Sequence, residues 1–223
     1  MRLFVTGTDT DVGKTAITAC LARAARQRGS VVAAKPVASG VATGTAGEDA
    51  LALGAAAGHA PRVYATFADP VSPHRASAIA GTPVDDGVLD WIAALAADTV
   101  LVEGVGGWRV PVRADPGGLW VRDLARAAGG PVVIVAPDRV GVLNHALLTV
   151  DAVRRDGLAV AGVVLNRGAS PPDAGRPHNL ADLRDLLDVP VVPVERIAPD
   201  DPDAARAAGE AVLRGIVGAV GER

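Results

Sequence analysis

The strongest chemical signal in this sequence is the run Gly7-Thr8-Asp9-Thr10-Asp11-Val12-Gly13-Lys14-Thr15. Small residues ahead of a lysine and a hydroxyl let backbone N–H groups converge on phosphate oxygens, and the start of a following helix adds partial positive charge. In that setting Lys14 reaches the terminal phosphates and the Thr15 hydroxyl ligates Mg²⁺. The usual spacing, G-x-x-x-x-G-K-[ST], puts its first glycine at position 8; here that place is Thr8 and the glycine comes one residue earlier, so the loop is a variant. A second signal is Glu103, which closes the apolar run Thr99 to Val102 and precedes Gly104, Gly106 and Gly107. Alone it reads as a cap in a glycine-rich turn; on a strand beside the phosphate loop it reads as an acid that holds Mg²⁺ directly or through water.

A third candidate comes from composition. The 22 basic residues are twenty arginines and only two lysines, Lys14 and Lys35. A lysine at a strand end is ordinarily a solvated charge. In a chain that has otherwise taken arginine, Lys35 marks a place where a compact ammonium fits between two anions and a planar guanidinium does not. Lys35 is therefore expected to face a transferred phosphoryl group from the acceptor side, with Ser39 and Gly40 of the same loop near the acceptor.

These residues need rigid elements behind them. Runs of strand length cover Arg2 to Thr6, Val31 to Ala34, Thr99 to Val102, Val132 to Ala136, Val160 to Leu165 and Val189 to Val192. Helical patterns cover Lys14 to Arg28, Glu48 to Ala57, Val84 to Ala97, Leu119 to Ala128, Leu143 to Arg155, Leu180 to Leu187 and Asp203 to Val217. Near-continuous apolar strands alternating with helices predict an α/β fold, a doubly wound, mostly parallel sheet with helices on both faces. Ligands then bind at the carboxyl ends of the strands, and Lys35 is placed at such an edge, just after the second strand. No linker divides the chain, so a single domain over residues 1–223 is expected. The segment from Ser170 to Pro177 is read as a surface loop.

Composition excludes other classes. A hydrophobic fraction of 49% rules out disorder, while 3% aromatic residues and a net charge of −3 argue against nucleic-acid binding. No apolar stretch is of membrane-spanning length, and the single cysteine, Cys20, permits no intramolecular disulfide, so a cytoplasmic location is expected. His74 and His145 are read mainly as structural, with His74 packing near the substrate loop.

Beyond GTDTDVGKT, the motifs KPVASG (35–40), EDALAL (48–53), SPHRASA (72–78), VEGVGGW (102–108) and VGVLNHALLT (140–149) occur in an order that resembles dethiobiotin synthetase. The resemblance spans nearly all of residues 2 to 166 and implies a P-loop NTPase architecture. It also implies a reaction of 7,8-diaminononanoate, CO₂ and ATP with Mg²⁺, through a carbamate and a carbamic-phosphoric anhydride, to dethiobiotin, ADP and phosphate. By the same resemblance Lys14 and Lys35 are catalytic, and Thr10, Asp11, Val12, Gly13, Lys14, Thr15 and Ala16 hold the nucleotide. Asp49, Glu103, Gly104, Val105 and Gly106 border it, Asn166 and Arg167 lie on the adenine side, and Thr15, Asp49 and Glu103 hold the metal. Ser39 contacts substrate, and Gly141, Val142, Leu143 and Asn144 receive its carboxylate across a homodimer interface.

The sequence departs from the family in places. Position 11 is Asp where Glu is common, Arg167 stands where Asp is frequent, and Val194 to Ala198 lacks the proline of the later adenine motif. Two other readings are a partitioning or positioning ATPase switch and a small-molecule kinase. The switch proteins carry an extra lysine near the start of the phosphate loop, where this chain has Thr8 and Asp9. A kinase would release a stable phosphorylated product.

Overall fold

The computed structural model describes residues 1–114, 117–198 and 200–220, the last four as backbone only. Along the chain run β1 (Arg2–Gly7), α1 (Lys14–Ala25), β2 (Val31–Ser39), α2 (Glu48–Ala57), β3 (Val63–Phe67), α3 (Pro73–Ala80) and α4 (Gly87–Ala93). There follow β4 (Thr99–Gly107), β5 (Pro111–Arg113), β6 (Leu119–Trp120), α5 (Val121–Ala128) and β7 (Val132–Pro137). The chain continues through α6 (Val142–Arg155), β8 (Val160–Asn166), α7 (Arg176–Leu186), β9 (Val191–Val194) and α8 (Pro202–Val220). Seven strands form one sheet in the order β3-β2-β4-β1-β7-β8-β9, and β5 and β6 make a separate small ribbon. Every pairing within the large sheet is parallel.

Strand alternation divides the core in two. Phe4, Val32, Ala34, Val100 and Val102 face one layer, together with Ile92, Leu124 and Val150 from the helices. Leu3, Val5, Val31, Ala33 and Leu101 face the other, with Ile17 and Leu21 of α1, Leu53 of α2 and Leu213 of α8. Period-2 alternation with both faces covered is what a buried parallel sheet requires. Among the described residues, no helix is long and apolar enough to cross a membrane.

The structure moves several boundaries. β3 was not expected: VYATF lies at the sheet edge with four of its five residues only half-buried, so it lacks a continuous apolar run. The helix expected from Val84 to Ala97 is shorter, Gly87–Ala93: Asp85 Oδ1 accepts the Gly87 N–H at its start, and beyond its end Asp98 accepts from the backbone and hydroxyl of Ser30. Leu119 and Trp120 pair with β5, and the helix starts after them, where Asp123 Oδ2 accepts the Trp120 N–H at 2.9 Å. β9 lies two residues later than expected, and α7 begins at Arg176, inside the segment read as a loop.

The most consequential shift concerns β2, which runs on to Ser39 and carries Lys35 inside the strand rather than after it. Pairing of β2 with β4 ends at Ala34↔Val102, and pairing with β3 begins at Lys35↔Val63. The two strands therefore part just where Lys35 and Glu103 come next.

α1 and α8 touch through a glycine: a methyl group at Gly209 would run into the backbone carbonyl of Cys20. Gly209→Ala is expected to lower stability by about 1–3 kcal/mol through overpacking. A thermal melt equal to that of the unaltered protein would show that the helices can separate without cost.

Candidate active site

Strand parity decides which way the charged pair points. Lys35 continues the row Val31–Ala33 and Glu103 follows Leu101, so both face the layer covered by α1 and α2. Those two helices begin over the same spot, and their first turns supply Lys14, Thr15 and Asp49. The result is a compact cluster: Lys35 Nζ lies 2.6 Å from Glu103 Oε1 and 2.7 Å from Asp49 Oδ2. The Thr15 hydroxyl lies 2.8 Å from Asp49 Oδ1 and 2.9 Å from Glu103 Oε1. Lys14 Nζ donates to the Asp9 carbonyl at 2.9 Å.

Burial makes these interactions strong. Glu103 is fully buried, Lys35 is 4% exposed and Lys14 7%. Burial pushes the Lys14 ammonium down to about 8, aided by the like charge of Lys35. Burial also opposes the charge on Lys35, but Glu103 and Asp49 beside it outweigh that and hold its pKa above the usual lysine value. For Asp49, burial acts upward, and the Lys35 charge with hydrogen bonds from Lys35 and Thr15 brings the carboxyl below its usual range. Two ammonium groups and two carboxylates leave the cluster formally neutral.

The donor set fits a hard divalent cation. One Thr15 hydrogen serves two carboxylate oxygens, and Glu103 Oε2 is buried with no hydrogen-bond partner. Oxygen is in excess over donors, and Thr15, Asp49 and Glu103 are the residues that would hold Mg²⁺.

Above the cluster opens a cleft of 760 Å³. It is lined by Thr10, Asp11, Gly13, Lys14, Thr15, Lys35, Ser39, Asp49, Val105 and Gly106, all expected from the sequence, with Glu103 buried beneath. Asp11 adopts a left-handed conformation (φ 57°), as does Gly13 (φ 87°). Gly13 also has no room for a Cβ against the Asn166 amide, so the loop needs glycine there twice over.

Other expected residues lie elsewhere. Val12 is buried, and its carbonyl accepts from Asn166 Nδ2 at 3.0 Å, while Asn166 Oδ1 accepts the Gly168 N–H. Asn166 thus braces the phosphate loop from β8, keeping one N–H and one lone pair free. Ala16 is exposed on α1, and Gly104 packs against the Phe4 ring. Arg167 is held by Asp138 (2.9 Å) and Glu195 (2.6 Å). Gly141, Val142, Leu143 and Asn144 form the start of α6, with Gly141 at φ 94°, and do not line the cleft. Gly40, expected near the acceptor, lines the cleft, but one wall was missed as a site: Pro70 to Pro73, with Ala38 and Val110. Its sequence signal was the beginning of SPHRASA.

Comparison with known proteins finds relatives along most of the chain. A family model described as an AAA domain matches residues 1–202. An ATP-dependent dethiobiotin synthetase BioD of Pseudomonas paraeruginosa is 45% identical over 193 residues, covering 81% of this chain and 82% of the relative. Its counterpart in Anaeromyxobacter dehalogenans is 40% identical, covering 96% and 98%. Among solved structures, a putative plasmid partition protein of Borrelia burgdorferi bound to AMPPNP superposes with a TM-score of 0.58 at 8% identity, covering 97% of this chain and 98% of that one. The septum site-determining protein MinD of Pyrococcus horikoshii, complexed with Mg-ADP, gives 0.51 at 17%, covering 96% and 95%. The two structures share the fold.

The cluster predicts a stability effect. Lys35→Met leaves the fully buried Glu103 carboxylate without its counter-charge and is expected to cost about 3–5 kcal/mol, part of which Glu103→Gln added in the same chain recovers. Denaturant unfolding of the single and double variants checks this. Equal stability of Lys35→Met and the unaltered protein would contradict the coupling.

Proposed function

The chain belongs to the ATP-dependent dethiobiotin synthetase family, and we propose that it joins 7,8-diaminononanoate and CO₂ into dethiobiotin with conversion of ATP to ADP and phosphate. The supporting observation is the cluster itself: Lys14, Lys35, Thr15 and Asp49 converge on one cleft with Glu103 beneath it, where β2 and β4 part and α1 and α2 begin. The chemistry brings a carbamate oxygen against a triphosphate, two anions that repel unless cations stand between them.

Each residue has a role in this reading. Backbone N–H groups of Thr10 to Thr15 and the start of α1 cradle the phosphates. Lys14, already inside the loop, turns from the Asp9 carbonyl to the terminal phosphates. Thr15, Asp49 and Glu103 hold Mg²⁺, which supplies charge neutralisation along the phosphates. Lys35, held by Glu103 and Asp49, presents its ammonium between carbamate and phosphoryl group. Asn166 keeps the phosphate loop in place and offers its remaining hydrogen-bonding capacity to the nucleobase.

Substrate is received by Ser39 on the acceptor side. Residues 141–144 lie off the cleft; the family resemblance implies a homodimer in which the start of α6 of a second copy receives the substrate carboxylate, and a helix start suits an anion. Neither nucleic acid nor membrane takes part, and the enzyme works in the cytoplasm.

Incubation with the diamine, bicarbonate, Mg²⁺ and ATP is expected to yield dethiobiotin and free phosphate; release of a stable phosphorylated diamine would indicate a kinase instead. Lys14→Gln is expected to weaken ATP binding and turnover together. Lys35→Gln should lower kcat by on the order of 100-fold with nucleotide affinity largely kept, and near-normal turnover would refute its role. Arginine at either position is also expected to be damaging, because a planar fork does not fill the place of a compact ammonium.

A further inference from the structure

The acceptor wall of the cleft holds a serine, Ser72, backed by an imidazole outside the lining, that the phosphate chemistry leaves unused. The ends of β2 and β3 are tied together by Gly40 N–H to Asp69 C=O at 3.1 Å and Val41 N–H to Phe67 C=O at 2.9 Å. This carries Pro70 to Pro73 alongside Ser39 and Gly40 as cleft lining. Ser72 occupies the N-cap position of α3, where a serine hydroxyl ordinarily accepts from the second or third backbone N–H of the helix. It makes no such bond. Its Oγ lies 3.0 Å from Nδ1 of His74, which is half-buried two residues further on, in the first turn of α3. A capping bond is given up in favour of a contact between a cleft hydroxyl and an imidazole.

We propose that Ser72 contacts the acceptor amine and that His74, acting through it, takes up the proton released when the carbamate forms. This rests on the synthetase reading. The neutral amine attacks the carbon of CO₂; an N–C bond forms and one C–O π pair moves onto oxygen, giving the carbamate. The nitrogen sheds one proton to Ser72 Oγ as the hydrogen of Ser72 passes to His74 Nδ1. The imidazolium so formed releases a proton to water, and exchange with solvent restores the hydrogen to Nε2 before the next turnover. This requires the tautomer with its hydrogen on Nε2, in which Nδ1 accepts from Ser72.

Of the other polar groups around the cleft, Ser39 shares the acceptor side but brings only a hydroxyl, and the charged groups serve the phosphate side. Lys14 and Lys35 are cations, and Asp49 and Glu103 are engaged with Lys35 and Thr15. Asp11 belongs to the phosphate loop. Imidazole is the side chain whose proton affinity suits transfer near neutral pH.

The test compares Ser72→Ala, Ser72→Thr, His74→Ala and His74→Asn for dethiobiotin formation at saturating ATP, with affinity for an ATP analogue and thermal midpoint measured on each. Asparagine can hold the Ser72 hydroxyl but does not take up a proton at neutral pH. Ser72→Ala, His74→Ala and His74→Asn are each expected to lower kcat by on the order of 100-fold. Analogue affinity and melting should remain near those of the unaltered protein. Ser72→Thr, which keeps a hydroxyl, should recover turnover to within about fivefold of the unaltered enzyme, because the relay depends on that group. Turnover of His74→Asn within about threefold of the unaltered enzyme overturns the proposal, since that variant tests proton uptake apart from hydrogen bonding. So does a loss of turnover matched by an equal loss of nucleotide affinity or stability, which would mark a structural role. Failure of the unaltered protein to make dethiobiotin would instead defeat the underlying activity.

Discussion

A lysine ammonium held between two carboxylates at the fork of a parallel sheet is the constraint on which the site depends. Lys35 and Glu103 stand one residue past the last pairing of β2 with β4. A charge placed earlier in either strand would meet the fully buried Ala33 and Leu101. At the fork it meets Asp49 and Thr15, delivered by the starts of α2 and α1. Isolated charges at this depth would be costly; four of balanced sign, with a hydroxyl between the acids, can remain ionised. Their balance also leaves a formally neutral cradle for a ligand that brings its own negative charge and counter-cation.

A second constraint ties this cradle to the other half of the sheet. Asn166, at the end of β8, reaches the carbonyl of Val12 and fills the space a Cβ at Gly13 would need. The backbone of Asn166 in turn accepts the Asp138 N–H at 3.0 Å, and Asp138 is fully buried while binding Arg167 and Asn179. Phosphate loop, β8 and the turn before α6 are thereby held as one hydrogen-bonded unit. Buried polar groups of this kind favour a single arrangement, because a misplaced partner leaves a desolvated charge.

The legible parts of the chain were those with local signals. GTDTDVGKT identified its loop through glycine spacing and the residues that follow, and the scarcity of lysine singled out Lys14 and Lys35. Long apolar runs such as Val132 to Ala136 identified central strands. The edge strand β3 was not legible, because an edge is only half-covered and need not be continuously apolar. The wall from Pro70 to Pro73 escaped notice for a related reason, since it lines the cleft only because β3 pairs with β2 beyond the fork.

The sequence by itself determined the phosphate loop, the alternation of strands and helices, and the identity of the basic and acidic residues able to serve transfer chemistry, all of which depend on neighbours within a few positions. Only the tertiary structure decided that Lys35 lies within β2, that its partners are Asp49 and Glu103, and that residues 141–144 stand away from the cleft. Those outcomes depend on where paired strands part and on which helices begin above the gap. Both are properties of packing between segments far apart in the chain.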